Sequence, residues 1–362
     1  MLKNKIIHII PTLSGGGAER LVIDLAEFID KDKFEVSIIC LKKGGVLETE
    51  LKEKNIPCYF ISNGKWPLFL SFFKLVVVIK KISPNIVHTH LFGGDFYGCL
   101  ATRLAGVKNI ISTEHNLNFS EGFLKLFLKR LTAGLIKEIV VVSESVKKYL
   151  IEKGGIKKEK ITVIYNGVKV DKFLKSEKNY SCQDREFVIG SVGRLEKQKG
   201  YDILLEAVSR IKELIKCLIA GDGSEKESLE KKIKELGLNN RVQLLGWQKN
   251  VSGFLNDLDV FVLPSRWEGF GIVVLEAGLA GLPVIGSRVD GIEEIIKDGE
   301  NGLLFDSENV DDLAAKILDL KNNETERARL GKNIQKKIVK NFDIRKIVKE
   351  YEKLYFSMIN KI

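Results

Sequence analysis

Short runs of β-branched and aliphatic residues alternate with helix-compatible segments along almost the whole chain. In its first half these runs include Lys5–Ile10, Glu35–Cys40, Asn85–His90, Asn109–Thr113 and Ile139–Ser143. Repeated alternation of strand and helix favours a parallel, doubly wound sheet with helices on both faces. The pattern therefore predicts an α/β chain made of Rossmann-like units.

The length of the chain, 362 residues, exceeds what one hydrophobic core usually holds, so we expect two domains. Residues 171–186 are polar and charged, which is typical of a linker. The first domain is therefore predicted over residues 1–170 and the second over residues 187–342. A lysine-rich, helical segment, residues 343–362, ends the chain.

The net charge of +10 lies entirely in the first half of the chain. Residues 1–170 contain 26 Lys and Arg against 16 Asp and Glu, whereas residues 171–362 contain 32 of each class. Such an excess indicates an anionic partner: membrane lipid, a diphosphate or nucleic acid. Since no zinc finger, RNA-recognition motif or helix-turn-helix is present, we expect no nucleic-acid partner.

Targeting and redox signals favour a cytoplasmic protein. The five cysteines are scattered and form no C-x-x-C pair, which argues for reduced thiols and against a disulfide framework or a zinc site. The N-terminal apolar run is short and leads into a glycine turn, unlike a signal peptide. No run approaches the ~20 apolar residues that span a bilayer.

The second half contains a strand, a glycine-rich turn and a helix in the sequence DVFVLPSRWEGFGIVVLEAGLAG, which begins at Asp259. A turn of this kind, Gly269-Phe270-Gly271, aims backbone N–H groups at one point, which suits a phosphate or a sugar oxygen. Glu268 stands before the glycines, and Glu276 lies about two turns into the helix. Two acceptors at this separation can bind two hydroxyl-bearing ends of one ligand.

Two further loops carry groups suited to a diphosphate. The first strand leads into Gly15-Gly16-Gly17 at a helix start, an anion-binding geometry that is neither a G-x-G-x-x-G fingerprint nor a Walker loop. Arg194 and Lys199 flank the loop after the strand that begins at Phe187. A forked guanidinium together with an ammonium binds a diphosphate well.

The sequence also places polar residues where strands of the first half end. His90 closes one strand, and Asp95 lies in the segment 91–95 that we interpret as its exit loop. His115 follows the next strand. Because ligands of open α/β sheets gather at the carboxyl ends of strands, these residues are placed for function, although a lone strand histidine is more often structural.

The segment 119–137 predicts a basic amphipathic helix. Phe123, Phe127 and Leu131 share one face, while Lys125 and Lys129 lie on others. Such a helix either lies in a membrane interface or packs an ordinary apolar face into the core. The charge of the whole half favours a contact of the two lysines with anionic lipid or a lipid diphosphate.

These motifs together resemble the family-4 retaining glycosyltransferases of GT-B fold. The resemblance is carried by GGGAER, by the G-R-x-x-x-x-K-G pattern of Arg194 and Lys199, and by the E-x7-E pattern of Glu268 and Glu276. It implies two Rossmann-like domains facing each other across a cleft. It also implies that the last helix, 343–362, crosses back to the first domain.

The resemblance also assigns roles to individual residues. It implies that Glu268 and His115 bind the donor sugar and that Arg194 and Lys199 neutralise the leaving nucleoside diphosphate. The remaining donor-binding positions that we predict from the resemblance and the glycine turns are Gly16, Gly17, Gly269, Phe270, Gly271 and Glu276. The acceptor-side positions are Gly15, His90, Asp95, Lys125 and Lys129.

The expected activity is retaining transfer of a hexose or N-acetylhexosamine from a nucleotide-diphosphate sugar, most often UDP-linked in this family. The expected acceptor is a glycan or a polyprenyl-diphosphate-linked saccharide, used in cell-surface polysaccharide assembly at the inner face of the plasma membrane. We expect no cofactor and no metal, because two basic residues already neutralise the diphosphate. Two alternatives stay open: a nucleotide-sugar 2-epimerase of GT-B fold, and a non-catalytic, membrane-docked protein that binds sugar nucleotides.

Overall fold

The computed structural model describes residues 3–62, 68–117, 123–173 and 186–360. The chain divides into two units. The first comprises Met1–Gly167 together with Ile344–Ile362, and the second comprises Val168–Asp343. Each unit is an α/β layer structure, and each is described below by itself.

In the described part of the first unit, seven strands form a parallel sheet that is flanked by helices. Its strands are β1 (Asn4–Ile10), β2 (Phe34–Lys42), β3 (Cys58–Ser62), β4 (Ile86–His90), β5 (Ile110–Glu114), β6 (Glu138–Val141) and β7 (Ile161–Val163). Its helices are α1 (Gly17–Phe28), α2 (Glu48–Glu53), α3 (Leu68–Ile82), α4 (Leu91–Leu104), α5 (Phe123–Ala133), α6 (Glu144–Glu152) and, after the second unit, α15 (Ile344–Asn360). The strand order is β3-β2-β1-β4-β5-β6-β7.

The second unit repeats this plan, with six parallel strands among its described residues. The strands are β8 (Phe187–Val192), β9 (Ile215–Ala220), β10 (Val242–Leu244), β11 (Val260–Leu263), β12 (Val284–Ser287) and β13 (Leu303–Phe305). The helices are α7 (Val170–Phe173), α8 (Tyr201–Arg210), α9 (Lys226–Glu235), α10 (Val251–Asn256), α11 (Ile272–Leu279), α12 (Asp290–Ile295), α13 (Val310–Asn322) and α14 (Glu324–Asn341). The strand order is β10-β9-β8-β11-β12-β13.

Both sheets are parallel and doubly wound, which confirms the predicted fold class. In the first unit the chain winds from β1 out to β3, returns to β4 beside β1, and then winds the other way to β7. In the second unit the same reversal occurs between β8 and β11. At such a reversal the two neighbouring crossovers leave in opposite directions and open a crevice at the carboxyl ends of the strands.

The last helix completes the core of the first unit. In α15 the buried residues recur at helical spacing, and they include Ile344, Ile347, Tyr351 and Tyr355. This apolar stripe packs into the core that also contains Ile6, Ile38 and Val140 of the sheet. Burial of the stripe is the reason that a segment so late in the sequence belongs to the first unit.

The boundary between the units lies at Gly167–Val168, three residues before the predicted end of the first domain at residue 170. The Val168 amide donates to the carbonyl of Phe342 over 2.9 Å, so two distant segments pair where the second unit begins and ends. Of the predicted linker, residues 171–173 belong to α7, and residues 174–185 lie outside the described part of the chain. None of the described helices combines the length and the apolar character needed to cross a membrane.

Gly200 joins two loops of the second unit by close backbone approach. Its φ is +63°, in the left-handed region, and it precedes the first residue of α8. A Cβ at this position would lie 2.1 Å from the carbonyl oxygen of Pro264, the residue that follows β11. Only glycine permits both the dihedral angle and the contact.

We expect Gly200→Ala to destabilise the protein far more than Gly237→Ala. Gly237 has a similar φ of +66°, but apart from its chain neighbours no described residue has an atom within 4 Å of the position that a Cβ would take there. Gly237→Ala therefore isolates the backbone strain, about 1 kcal/mol, whereas Gly200→Ala adds a clash worth about 1–3 kcal/mol more. Urea unfolding of both variants measures the difference, and equal losses would contradict the role given to the Pro264 contact.

Candidate active site

Two oppositely charged side chains meet at the winding reversal of the second unit. Lys199 follows β8, and Glu268 follows the neighbouring strand β11. The Lys199 Nζ lies 2.5 Å from Glu268 Oε2, and Ser265 Oγ donates to the same oxygen over 3.3 Å. Glu268 is only 9% exposed. A nearly buried carboxylate held by an ammonium and a hydroxyl keeps one oxygen oriented for a polar ligand.

The loops that carry this pair are fastened to each other by groups that the sequence did not single out. The Arg266 guanidinium makes two hydrogen bonds of 2.8 Å to the carboxylate of Asp202 in α8. These bonds raise the pKa of Arg266 above its ordinary value. Gln198 adds two links: its carbonyl accepts from the Arg266 amide, and its side chain donates to the carbonyl of Trp267 over 2.9 Å. Lys199 and Glu268 are thus positioned by a rigid frame.

The glycine turn after Glu268 leads directly into α11. Gly271, with φ +86°, precedes the first helical residue, Ile272. Phe270 is buried and packs edge to face on Phe342, with ring centroids 5.5 Å apart. A Cβ on Gly291 would lie 2.5 Å from the carbonyl oxygen of Gly269, so the turn is also packed from α12. The Val274 amide donates to the Gly271 carbonyl over 2.9 Å, and the start of α11 is the positive end of the helix dipole, which favours an anion.

The structure places the other predicted residues of this unit around the same strand ends. Arg194 is exposed and follows β8 by two residues, so its guanidinium is open to a ligand or to solvent. Glu276 is half-buried within α11. The second unit therefore gathers two cations, a carboxylate and a helix start at one edge of its sheet.

In the first unit the glycine-rich turn also lies at the winding reversal, between β1 and α1. Gly15 has φ +98°, and Gly16 directly precedes the helix. Gly15 and Gly17 are exposed, so the backbone here is open. Glu19, a residue without a predicted role, holds the turn by accepting a hydrogen bond from Ser14 Oγ over 2.9 Å.

His90 and His115 lie in contact at the carboxyl edge of the first sheet. His90 Nδ1 is 3.1 Å from His115 Nε2, and His90 Nε2 is 2.9 Å from His8 Nδ1. His88 lies beside them, with its ring centroid 4.2 Å from that of His90. His8 was not among the predicted site residues, although β1 pairs with β4 so that His8 stands opposite His88. The sequence signal that could have indicated this cluster is that three of the four histidines of the chain lie in strands.

The predicted exit loop at residues 91–95 is wrong. Helix α4 begins at Leu91, which adopts a positive φ of 60° directly after the strand. Asp95 therefore lies inside the helix, 7% exposed, and accepts hydrogen bonds from Thr89 Oγ1 over 2.6 Å and from Ser112 Oγ over 2.7 Å. Burial raises the pKa of Asp95 to about 7. These contacts give Asp95 a packing role between α4 and the sheet.

We expect Asp95→Asn to change how stability depends on pH. Because the pKa of Asp95 in the folded state is raised above its ordinary value, folding favours the protonated carboxyl. Its contribution to stability is complete below about pH 4 and falls as the pH rises toward 7. Asn keeps the acceptor oxygen and does not titrate.

Urea unfolding between pH 5 and 7 measures this effect. Relative to wild type, the Asp95→Asn variant should gain about 2 kcal/mol over this interval. The exposed Asp32 provides the control Asp32→Asn for simple removal of one carboxyl. A pH-independent difference between wild type and Asp95→Asn would contradict the burial argument.

Helix α5 covers part of the predicted amphipathic segment. Lys129 is only 13% exposed at its side chain and forms an ion pair of 2.7 Å with Glu114, at the end of β5. Phe127 and Leu131 are exposed, whereas the side chain of Lys125 lies outside the described residues. Lys129 thus serves to attach α5 to the sheet edge.

Comparison with known proteins agrees with this architecture. Residues 15–172 match the family described as Glycosyltransferase Family 4, and residues 173–337 match Glycosyl transferases group 1. The UDP-Gal:alpha-D-GlcNAc-diphosphoundecaprenol alpha-1,3-galactosyltransferase of Escherichia coli is 30% identical, over 99% of this chain and 98% of that protein. The capsular polysaccharide biosynthesis glycosyltransferase CapM of Staphylococcus aureus is 28% identical, over 80% of this chain and 81% of its own.

A solved structure shows the same fold. HepE of Anabaena, in complex with UDP and glucose, has a TM-score of 0.87 at 24% identity and covers 98% of this chain and 100% of its own. The two Rossmann-like sheets are those of the GT-B class. The chain therefore belongs to the family-4 glycosyltransferases, and it is a transferase enzyme.

Proposed function

We propose that this protein is a retaining glycosyltransferase that moves a hexose or N-acetylhexosamine from a UDP-sugar to a polyprenyl-diphosphate-linked saccharide or glycan, in cell-surface polysaccharide assembly. The observation that carries the proposal is the buried pair of Lys199 and Glu268 at the winding reversal of the second unit. The Escherichia coli relative supports the substrate classes, because its name specifies a UDP-sugar donor and a diphosphoundecaprenol acceptor.

The charges of the second unit suit the departure of a nucleoside diphosphate. When the bond between the anomeric carbon and the diphosphate oxygen breaks, negative charge grows on the phosphates and positive charge on the sugar. The negative charge on the phosphates is stabilised by Arg194, Lys199 and the start of α11. The carboxylate of Glu268 binds sugar hydroxyls. The acceptor oxygen bonds to the same face of the anomeric carbon, and its proton passes to the departing phosphate oxygen. This path retains the anomeric configuration.

The cations after β8 also support transfer without a resident cofactor or metal. Arg194 is exposed for the phosphates, and the Lys199 ammonium, which has three N–H donors, can bind a phosphate oxygen in addition to Glu268. The first unit would contribute the turn at Gly15–Gly17 and the imidazole of His115 to substrate binding. The epimerase alternative predicts an isomerised sugar nucleotide in the absence of any acceptor.

We expect Glu268→Gln to lower kcat by about 100-fold. The neutral amide lacks the negative charge of the carboxylate, which orients Lys199 and accepts a hydrogen bond from the sugar hydroxyl. Nucleotide release from UDP-, GDP- and ADP-sugars, with and without a polyprenyl-diphosphate saccharide, measures it. Release from one donor that requires the lipid acceptor, gives a product of unchanged anomeric configuration and persists in EDTA is the expected result.

The matched control is Glu300→Gln, which removes an exposed carboxylate paired with Lys297 over 2.5 Å. It should leave turnover near the wild-type value. Equal activity of the Glu268→Gln variant and the wild type would contradict the role of the pair. Isomerisation of the sugar nucleotide without any acceptor would contradict the proposed transfer to a lipid-linked saccharide.

We further propose that the first unit docks on an anionic membrane through helix α3. Phe69, Phe73 and Val77 form a row at every fourth position, and each is more than 60% exposed. Lys80 and Lys81 at the end of α3 are exposed as well. An apolar row beside lysines suits insertion between anionic headgroups. Among the residues whose side chains are described, α3 has four exposed large apolar residues, Phe69, Leu70, Phe73 and Val77, and α5 has two, Phe127 and Leu131.

Substitution of Phe69 and Phe73 together by serine should weaken binding to vesicles containing phosphatidylglycerol by at least about tenfold. The reason is that the double variant lacks the two aromatic side chains that the proposal inserts into the membrane interface. Vesicle flotation measures the effect. The control replaces Leu214 and Trp247, two exposed apolar residues of the second unit, by serine. Equal loss in both double variants, or no binding by wild type, would overturn the docking proposal.

A further inference from the structure

All four histidines of the chain form one connected set inside the first unit. His8, His90 and His115 are joined in series: His8 Nδ1 to His90 Nε2 over 2.9 Å, and His90 Nδ1 to His115 Nε2 over 3.1 Å. His88 stands beside the series, and both of its nitrogens are occupied, by Tyr355 Oη over 2.8 Å and Thr113 Oγ1 over 2.7 Å. The series runs from the middle of β1 to the loop after β5, at the carboxyl edge of the sheet.

The imidazoles of the series are neutral. Burial lowers the pKa of His8 and of His115 to about 3. Burial and the neighbouring rings lower the pKa of His90 well below its ordinary value. At neutral pH each ring therefore carries one N–H and one bare nitrogen, so it can donate once and accept once.

This restriction leaves the series two arrangements of protons, because each link needs one donor and one acceptor. In the first, all three rings carry the proton on Nδ1: His8 donates to His90, His90 donates to His115, and His115 keeps an Nδ1–H. In the second, all three carry it on Nε2 and every bond is reversed. The state of His8 thus determines the state of His115.

The end of the series inside the core distinguishes the two arrangements. His8 Nε2 is buried and has no hydrogen-bond partner among the described residues. In the second arrangement this nitrogen would carry a proton with nothing to accept it, whereas in the first it is only an unused acceptor. Orphaned buried N–H groups are the rarer and costlier case. In the first arrangement the N–H without a partner is instead Nδ1–H of His115, and this nitrogen is buried as well. His115 is, however, a half-buried residue at the carboxyl edge, where water or a substrate oxygen can accept from it, whereas His8 is 0% exposed within β1. The first arrangement is therefore the favoured one.

The other end of the series is the functional end. His115 Nδ1 likewise has no partner among the described residues. We propose that His8 and His90 are positioning residues that hold His115 in its Nδ1–H tautomer, so that His115 donates a hydrogen bond to a substrate oxygen. The proposal rests on the glycosyltransferase function above and specifies that His115 is a fixed donor. It is not a general base, because its other nitrogen already accepts from His90.

The test is the tautomer of each histidine, read from ring ¹⁵N shifts and long-range ¹H–¹⁵N couplings in protein labelled at histidine. With only four histidines, single substitutions assign the signals. We expect the His115 proton on Nδ1 in wild type. A proton on Nε2 of His115 in wild type would overturn the proposal whatever the activity of the enzyme.

Two substitutions of His8 separate the hydrogen bond from packing. His8→Asn places an amide N–H near the position of Nδ1 and keeps the donor to His90, whereas His8→Leu removes it. The His8→Asn variant should keep the Nδ1–H signature of His115. In the His8→Leu variant, His115 should show a mixture of the two neutral tautomers, with the proton on Nδ1 in one and on Nε2 in the other. Nucleotide release from UDP-galactose and UDP-glucose should show kcat/KM about tenfold lower for His8→Leu than for His8→Asn.

The remaining outcomes are equally decisive. If the two variants lose activity equally and in proportion to their stability, or share one His115 spectrum, the series is only packing and the proposal fails. The candidate ligand atoms of His8, His88 and His90 lie within 4.8 Å of one another, so the metal content of the purified protein is measured too. A stoichiometric metal ion bound by these imidazoles would replace the hydrogen-bonded series and overturn the proposal. If neither UDP-sugar is turned over by wild type, the proposed donor is wrong while the tautomer result stands.

Discussion

The reversal of winding direction in each sheet is the constraint on which the rest of the structure depends. A parallel sheet needs a crossover after every strand, and crossovers of one hand place helices on a face determined by the direction of winding. Where the direction changes, between β1 and β4 and between β8 and β11, the neighbouring loops diverge at the carboxyl edge. Side chains on these loops can approach one ligand without being covered by a helix.

The carboxyl edges of the two sheets differ in their electrostatic character. In the second unit the edge is built from charge: Lys199 and Glu268 pair at 2.5 Å, and Arg266 fastens their loops through Asp202. In the first unit the edge is built from neutral rings, because burial lowers the pKa of the imidazoles of His8, His90 and His115 and keeps them uncharged. A charged edge suits a diphosphate, whereas neutral imidazoles suit uncharged hydroxyl groups.

Local sequence patterns predicted the elements well, but they failed where a side chain's role depends on distant partners. The strand–helix order, the glycine turns at Gly15–Gly17 and Gly269–Gly271, and the positions of Lys199 and Glu268 at strand ends follow from periodicity and turn chemistry. Asp95 was misplaced because residues 91–95 were predicted as an exit loop. Instead α4 begins at Leu91, and the Asp95 carboxylate accepts hydrogen bonds from Thr89 and Ser112. The apolar row of α3 was visible in the sequence, but its exposure was not.

The sequence by itself determined the fold class and the chemistry of the turns, because backbone preference and apolar periodicity act over a few residues. The tertiary structure alone decided which groups meet. His8 reaches His90 across 82 residues of chain, and Lys199 reaches Glu268 across 69. Such contacts depend on strand order and register, which fix the neighbours of each strand and the face on which each side chain lies. Glu268 was predicted as an acceptor together with Glu276, and only the packing of β8 against β11 paired it with Lys199.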